Sequence, residues 1–186
     1  MSGTYEPGED SLFLSDVVSR IRSERVAEIG VGSGFVLRHY SEIDSPDLAV
    51  GTDRDLEALN VAIGNDRTGL CEYVLCNSCD CMRESSLKLI FFNPPYLRDE
   101  GDGDVAASGG ERGIETTFEM AMSAFRALTE GGEMVFLGSS LSDLDTLSQR
   151  LTEAGLEIRK LGVLKLFFEE LTAFRAVRGP LNRRFR

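Results

Sequence analysis

The sequence predicts a doubly wound α/β fold: a mostly parallel sheet with helices on both faces, finished by an antiparallel hairpin at its C-terminal end. Three observations predict it. Short apolar runs alternate with amphipathic stretches along most of the chain, the order that right-handed strand–helix–strand crossovers require. The run 87–92 (Leu-Lys-Leu-Ile-Phe-Phe) is almost wholly apolar, as befits a central strand buried on both faces. Beyond Gly155 two strand-like runs, 156–166 and 171–177, follow one another with no helix between them, so they pair antiparallel.

Each element has its own signal. Residues 10–21 place Leu12, Phe13, Val17, Val18 and Ile21 on one helical stripe. Residues 25–29 read as a first strand ending in a glycine turn, with a helix behind it through Leu37 and Tyr40. Residues 48–52 form a second strand that ends at Asp53, and 56–63 a second helix. A third strand runs from Glu72 to Cys76 and a fourth over 87–92. The polar, Gly- and Asp-rich stretch 98–113 has no period and reads as a loop over the active face. A helix over 114–128 is expected to stop at Gly131-Gly132, followed by a fifth strand over 133–137 and a helix over 141–154.

Composition narrows the function classes. The 186 residues suffice for one domain with a full core and are few for two, so residues 1–186 are read as a single domain. No apolar run reaches the roughly 20 residues of a membrane span. The first residues, Met1 to Pro7, lack the basic and apolar regions of a signal peptide, which makes a cytoplasmic location the expectation. A net charge of −11 opposes unaided binding of nucleic acid, whose affinity comes from neutralising phosphates. Cys71, Cys76, Cys79 and Cys81 fall in one stretch; with no second pair elsewhere to complete a usual zinc spacing, they read as reduced thiols on a strand and its following loop, and no metal site is expected.

Two motifs carry the chemistry. Glu28, Gly30, Gly32 and Gly34 form a Glu-x-Gly-x-Gly-x-Gly turn at the end of the first strand, where open α/β sheets bind their ligands. Glycine is needed there because a Cβ would block the tight turn and the approach of a cofactor. The nicotinamide spacing Gly-x-Gly-x-x-Gly fails, since the last position falls on Phe35 or Leu37. Asp53, about 20 residues on, stands where an acid can accept both ribose hydroxyls. Glu28 is expected near a methionine end, and Asp80 to accept from an adenine amino group. The second motif is Asn93-Pro94-Pro95-Tyr96. An amide or aromatic amine is a poor nucleophile because its lone pair is delocalised; Asn93 offers a side-chain oxygen and Pro94 a carbonyl to its two N–H groups. The prolines remove two backbone donors and free that carbonyl from the ladder, while Tyr96 can pack on the flat face. In this order, with Asp53 between them, the motifs point to methyl transfer from S-adenosylmethionine (AdoMet) to a planar nitrogen. Glutamine amide, adenine N6, cytosine N4 and guanine N2 all satisfy that chemistry; a nucleobase enzyme, a protein lysine methyltransferase and a non-catalytic AdoMet-binding scaffold are the alternatives.

Tyr5-Glu6-Pro7-Gly8-Glu9-Asp10-Ser11, the glycine turn, Asp53, Asn93–Tyr96 and Gly109-Gly110-Glu111-Arg112-Gly113 together resemble the archaeal and eukaryotic HemK-like glutamine methyltransferases, Rossmann-like AdoMet enzymes, over almost the whole chain. The resemblance implies methylation of the glutamine in the Gly-Gly-Gln motif of class I release factors. It implies that Ser11, Glu28, Gly30, Gly32, Asp53, Asp80, Cys81 and Asn93 contact AdoMet, with Asn93, Pro94, Pro95 and Tyr96 holding the glutamine. In the methyltransferase form of this fold, a doubly wound sheet closed by such a C-terminal hairpin, the expected strand order is third, second, first, fourth, fifth, seventh, sixth. The resemblance also implies a small zinc-binding activator subunit. The third strand, Glu72 to Cys76, is its expected seat, because Tyr73, Val74 and Leu75 are apolar for a free edge and no Pro or Lys blocks pairing.

Overall fold

The computed structural model describes residues 7–95 and 113–179. Twelve elements alternate as α1 (Glu9–Val18), β1 (Arg25–Ile29), α2 (Phe35–Asp44), β2 (Leu48–Asp53), α3 (Leu56–Asn65), β3 (Glu72–Leu75), β4 (Leu87–Phe92), α4 (Glu115–Ala127), β5 (Leu128–Ser139), α5 (Leu144–Glu153), β6 (Leu156–Lys165) and β7 (Glu170–Arg178). The strands make one seven-stranded sheet ordered β3-β2-β1-β4-β5-β7-β6, as expected from the sequence. The first five run parallel, and β7 pairs antiparallel with both β5 and β6.

The period of two along each strand divides the core into two layers. Val26, Leu89, Phe91, Val135, Leu137 and Ala173 face α1, α2 and α3, which bury Leu14, Val18, Leu37, Tyr40 and Leu59 against them. Ala27, Ile90, Phe92, Met134, Phe136 and Phe174 face α4 and α5, meeting Met120, Ala124, Leu147 and Leu151. On that second face Phe92, Phe136 and Phe174 stack in a row, each centroid 5.4 Å from the next. The buried Arg178 donates to the carbonyls of Phe125, Arg126 and Leu128, adding donors where the end of α4 leaves carbonyls without helical partners.

Several boundaries differ from the sequence expectation. The first helix stops at Val18 rather than reaching residue 21, and Ile21 closes a turn on the Val18 carbonyl. The Gly131-Gly132 pair does not stop α4. The chain turns extended at Leu128, and the register between β4 and β5 slips from Leu87↔Leu128 to Leu89↔Glu133. The glycines lie in that bulge, Gly131 at a φ of 71°, a conformation glycine adopts without cost. The next helix starts at Leu144 because Asp143 caps it, its carboxylate accepting from the Thr146 N–H. Strand β3 ends one residue before Cys76, although the Cys76 N–H still reaches the Asp53 carbonyl at 2.8 Å. The loop expected over 98–113 and Tyr96 lie outside the described residues apart from Gly113. Among the described residues no helix is long and apolar enough to cross a membrane.

Candidate active site

A cleft opens at the carboxyl ends of β1 and β4, lined by residues that include Asp10, Ser11, Glu28, Gly30, Gly32 and Asn93. The glycine turn forms its floor. Gly30, Gly32 and Gly34 all take left-handed conformations, with φ of 67°, 52° and 76°. A Cβ on Gly30 would meet no protein atom within 4 Å and would project into open space, whereas one on Gly34 would press on Ala62 and the Tyr73 hydroxyl. The first glycine keeps room for a ligand; the last lets α2 pack against α3.

Two carboxylates fix this turn. Glu28, 5% exposed, accepts from the Leu37 N–H at 2.8 Å and so caps the first turn of α2 from the strand below. Burial pushes its carboxyl well above the usual range; the Leu37 N–H opposes the rise and the negative charge of Asp53 adds to it. Asp53 accepts from the Gly32 N–H at 3.1 Å and the Asp55 N–H at 3.0 Å. One carboxylate thus ties the tip of the glycine turn to the end of β2.

Asn93 follows β4 directly. Its Nδ2 donates to Asp10 Oδ2 at 2.6 Å, while Asp10 Oδ1 accepts from the Ser11 N–H at 2.7 Å. An ionised carboxylate only accepts, so the amide of Asn93 must turn its NH2 toward Asp10 and its oxygen away. That oxygen, Oδ1, is buried and has no hydrogen-bond partner among the described residues. Buried acceptors are normally satisfied, and this one, on a residue that lines the cleft, is free to accept a donor. Pro94 is buried and Pro95 half-buried behind it.

The structure therefore brings Ser11, Glu28, Gly30, Gly32 and Asn93 to one cleft, with Asp53 one hydrogen bond away. Asp80 and Cys81 lie in the loop after β3 and are not among the residues lining the cleft. Asp80 is exposed and accepts from Ser123 Oγ at 2.8 Å and Asn77 Nδ2 at 3.3 Å. Cys81 is exposed, its N–H donating to Cys76 Sγ, whereas Cys71 and Cys79 are buried. Burial pushes the Cys79 thiol up to about 12. Burial and a hydrogen bond with Cys76 push that of Cys81 to about 11. Among the described residues no cluster of three or more His, Cys, Asp or Glu is placed to hold a metal. Sequence reasoning missed Asp10. It sits in the Glu-Asp-Ser opening, but its partner lies 83 residues away, and only the packing of α1 across the sheet brings the two together.

No family model matches the chain; individual proteins do. A Methanocaldococcus jannaschii protein, provisionally named a protein N5-glutamine methyltransferase, is 29% identical over 182 residues, covering 94% of this chain and 91% of that protein. The release factor glutamine methyltransferase of Bradyrhizobium diazoefficiens is 32% identical over 126 residues, which cover 60% of this chain and 42% of the bacterial protein. Among solved structures, the E. cuniculi Mtq2-Trm112 complex, responsible for methylation of the eRF1 translation termination factor, matches with a TM-score of 0.77 and 25% identity over 94% of this chain and 98% of that one. In sequence the chain is similar to proteins named as N5-glutamine methyltransferases, and in fold to the Rossmann-like methyltransferase of the E. cuniculi complex.

Proposed function

We propose that this methyltransferase moves a methyl group from AdoMet to the side-chain amide nitrogen of the glutamine in the Gly-Gly-Gln motif of a class I release factor, in the cytoplasm where termination factors work. The observation that carries the reading is the buried Oδ1 of Asn93, unpartnered among the described residues and turned away from Asp10 on a residue that lines the cleft. A primary amide has two N–H groups to place. Oδ1 accepts one and the Pro94 carbonyl the other, which fixes the amide plane and presents its nitrogen to the cofactor; Pro95 and Tyr96 hold the flat face.

The cleft suits AdoMet. The open space above Gly30 leaves room for it, the acids Glu28 and Asp53 flank the turn, and Asp53 keeps acceptor capacity for ribose hydroxyls beyond its two backbone donors. Bound there, AdoMet supplies an electrophilic methyl on sulfur that leaves as a thioether when the N–C bond forms. The alkylated amide is acidic and loses its proton late to water, so no side-chain base is needed, and the chain contributes position and fixed dipoles. Ser11 lines the same cleft; Asp80 and Cys81 would serve an adenine from the loop after β3.

The relative in the E. cuniculi complex works with a second subunit, and this chain carries a fitting edge. Strand β3 ends the sheet with Val74 36% and Leu75 56% exposed. A small zinc-binding activator subunit pairing with β3 would cover them. The deciding experiment is radiolabelled methyl transfer from AdoMet to a purified release factor and to its Gln→Ala version in the Gly-Gly-Gln loop. Label on the first and none on the second is the expected result; equal label on both overturns the proposal.

A further inference from the structure

The hairpin between β6 and β7 ends in two phenylalanines that no described residue covers. Phe167 is 92% exposed and Phe168 86%, their rings edge to face at 4.6 Å and 78°. The turn that bears them is tied down. The Leu166 N–H donates to the Glu169 carbonyl at 2.8 Å and the Ser140 N–H to the Glu170 carbonyl at 2.9 Å. The Glu170 N–H returns to Ser140 Oγ at 2.9 Å, and Lys165 pairs with Glu170 at 3.2 Å. A fixed turn that holds two large apolar side chains in water has the anatomy of an interface anchor, in which rigid aromatic groups lose little entropy on binding.

Its place in the fold selects the occupant. Because β7 runs antiparallel to β5, the turn stands at the carboxyl end of the sheet, the end at which Asn93 follows β4. Two to three strand spacings of about 4.8 Å separate β4 from the hairpin, a lateral distance of about 12 Å. The ladder also runs past Asn93: Phe92 pairs with Phe136, which sets Asn93 level with Leu137, while Leu171 pairs with Ser139, two residues higher, about 7 Å along the strand. The hairpin is therefore a wall flanking the acceptor end of the cleft. A protein held by a typical interface covers about 800 Å² of its partner, a disc about 16 Å in radius. Centred on Asn93, such a disc includes the wall. The edge strand β3 lies on the opposite side of β4 from the hairpin, so a subunit seated there does not bury the phenylalanines.

We infer that Phe167 and Phe168 are the docking anchor for the folded body of the protein substrate, gripping an apolar depression beside the glutamine-bearing loop. The inference rests on the proposed release-factor reading. It also accounts for how an acidic chain, net −11, recognises a protein around a glutamine that carries no charge.

The test compares wild type with Phe167→Ser/Phe168→Ser and Phe167→Leu/Phe168→Leu in steady-state methylation of a release factor. Binding of its Gln→Ala version is measured alongside by calorimetry, and thermal melting and AdoMet affinity are recorded for each variant. The serine pair is expected to raise KM for the release factor and weaken binding of the Gln→Ala version about tenfold or more, with kcat, AdoMet affinity and melting unchanged; the leucine pair recovers most of the loss. Wild-type KM and affinity in the serine pair overturn the docking role while leaving the reaction standing. A wild-type protein that neither binds nor methylates the release factor overturns the functional reading, and the docking role with it. Equal losses from the serine pair on free Gly-Gly-Gln peptide assign the aromatics to the cleft itself and also overturn docking of the folded body.

Discussion

Replacing Asp10 with alanine should disable the reaction while sparing the cofactor site. In the native chain Asp10 Oδ2 accepts from Asn93 Nδ2 at 2.6 Å, a short bond with a charged acceptor, and such bonds contribute about 1.5–3 kcal/mol. Without it nothing among the described residues distinguishes the two faces of the Asn93 amide, and the flipped form presents NH2 where the glutamine N–H must be accepted. Restoring the productive face then falls on the bound substrate. If the whole contribution is lost from the transition state, kcat falls about tenfold to a hundredfold, at roughly 1.4 kcal/mol per decade. Asp10→Asn retains an acceptor without the charge and should fall between. The assay is initial-rate methylation at saturating AdoMet and release factor, with AdoMet affinity measured by calorimetry and folding by thermal melting, since Asp10 also accepts from the Ser11 N–H at the start of α1. A folded Asp10→Ala protein whose kcat lies within twofold of wild type would refute the orienting role.

Other expectations follow from the same site. Asp53→Ala should weaken AdoMet binding about tenfold or more, because a carboxylate that also holds the Gly32 N–H is lost from the ribose side; unchanged affinity in calorimetry would show that Asp53 does not face the cofactor. Glu28 gives a pH signature: its carboxyl is raised by burial above the ordinary 4.5, so above about pH 4.5 the unfolded chain ionises while the folded one stays protonated. Stability present below that pH is lost as pH rises toward the folded value; Glu28→Gln should remove this decline, and parallel pH–stability curves for the two proteins would contradict it. With Val74 and Leu75 exposed on the edge strand, the chain expressed alone should aggregate or lose activity relative to the chain co-expressed with a small activator subunit. A monodisperse, fully active lone chain would dismiss the subunit as a requirement.

The fold was legible where burial on both faces forced the pattern. The run 87–92, the alternation before it and the two helix-free strands after Gly155 gave the elements and the antiparallel hairpin, and the family resemblance gave the order observed. Boundaries were misread where a local signal had a different cause. Gly131-Gly132 looks like a helix stop, yet the helix ends at Ala127 and the glycines serve the bulge that resets β5 against β4. At the site, the glycine turn and Asn93 could be read because their residue types are dictated by a backbone conformation and a ligand. Asp10 could not, because its role is a contact with a residue 83 positions away. The bond between Asp80 and Ser123 was illegible for the same reason, since it is visible only once α4 is packed.

The most direct test of the account is methyl transfer by Asn93→Ala, measured in single turnover with AdoMet and release factor both saturating and with AdoMet affinity recorded in parallel. Asn93 Oδ1 is the unpartnered acceptor on which the mechanism turns, and loss of one preorganised partner at the reacting group typically costs about a hundredfold or more in rate. The account predicts a rate reduced by at least that factor with most of the AdoMet affinity retained. A near-normal rate from Asn93→Ala would contradict it.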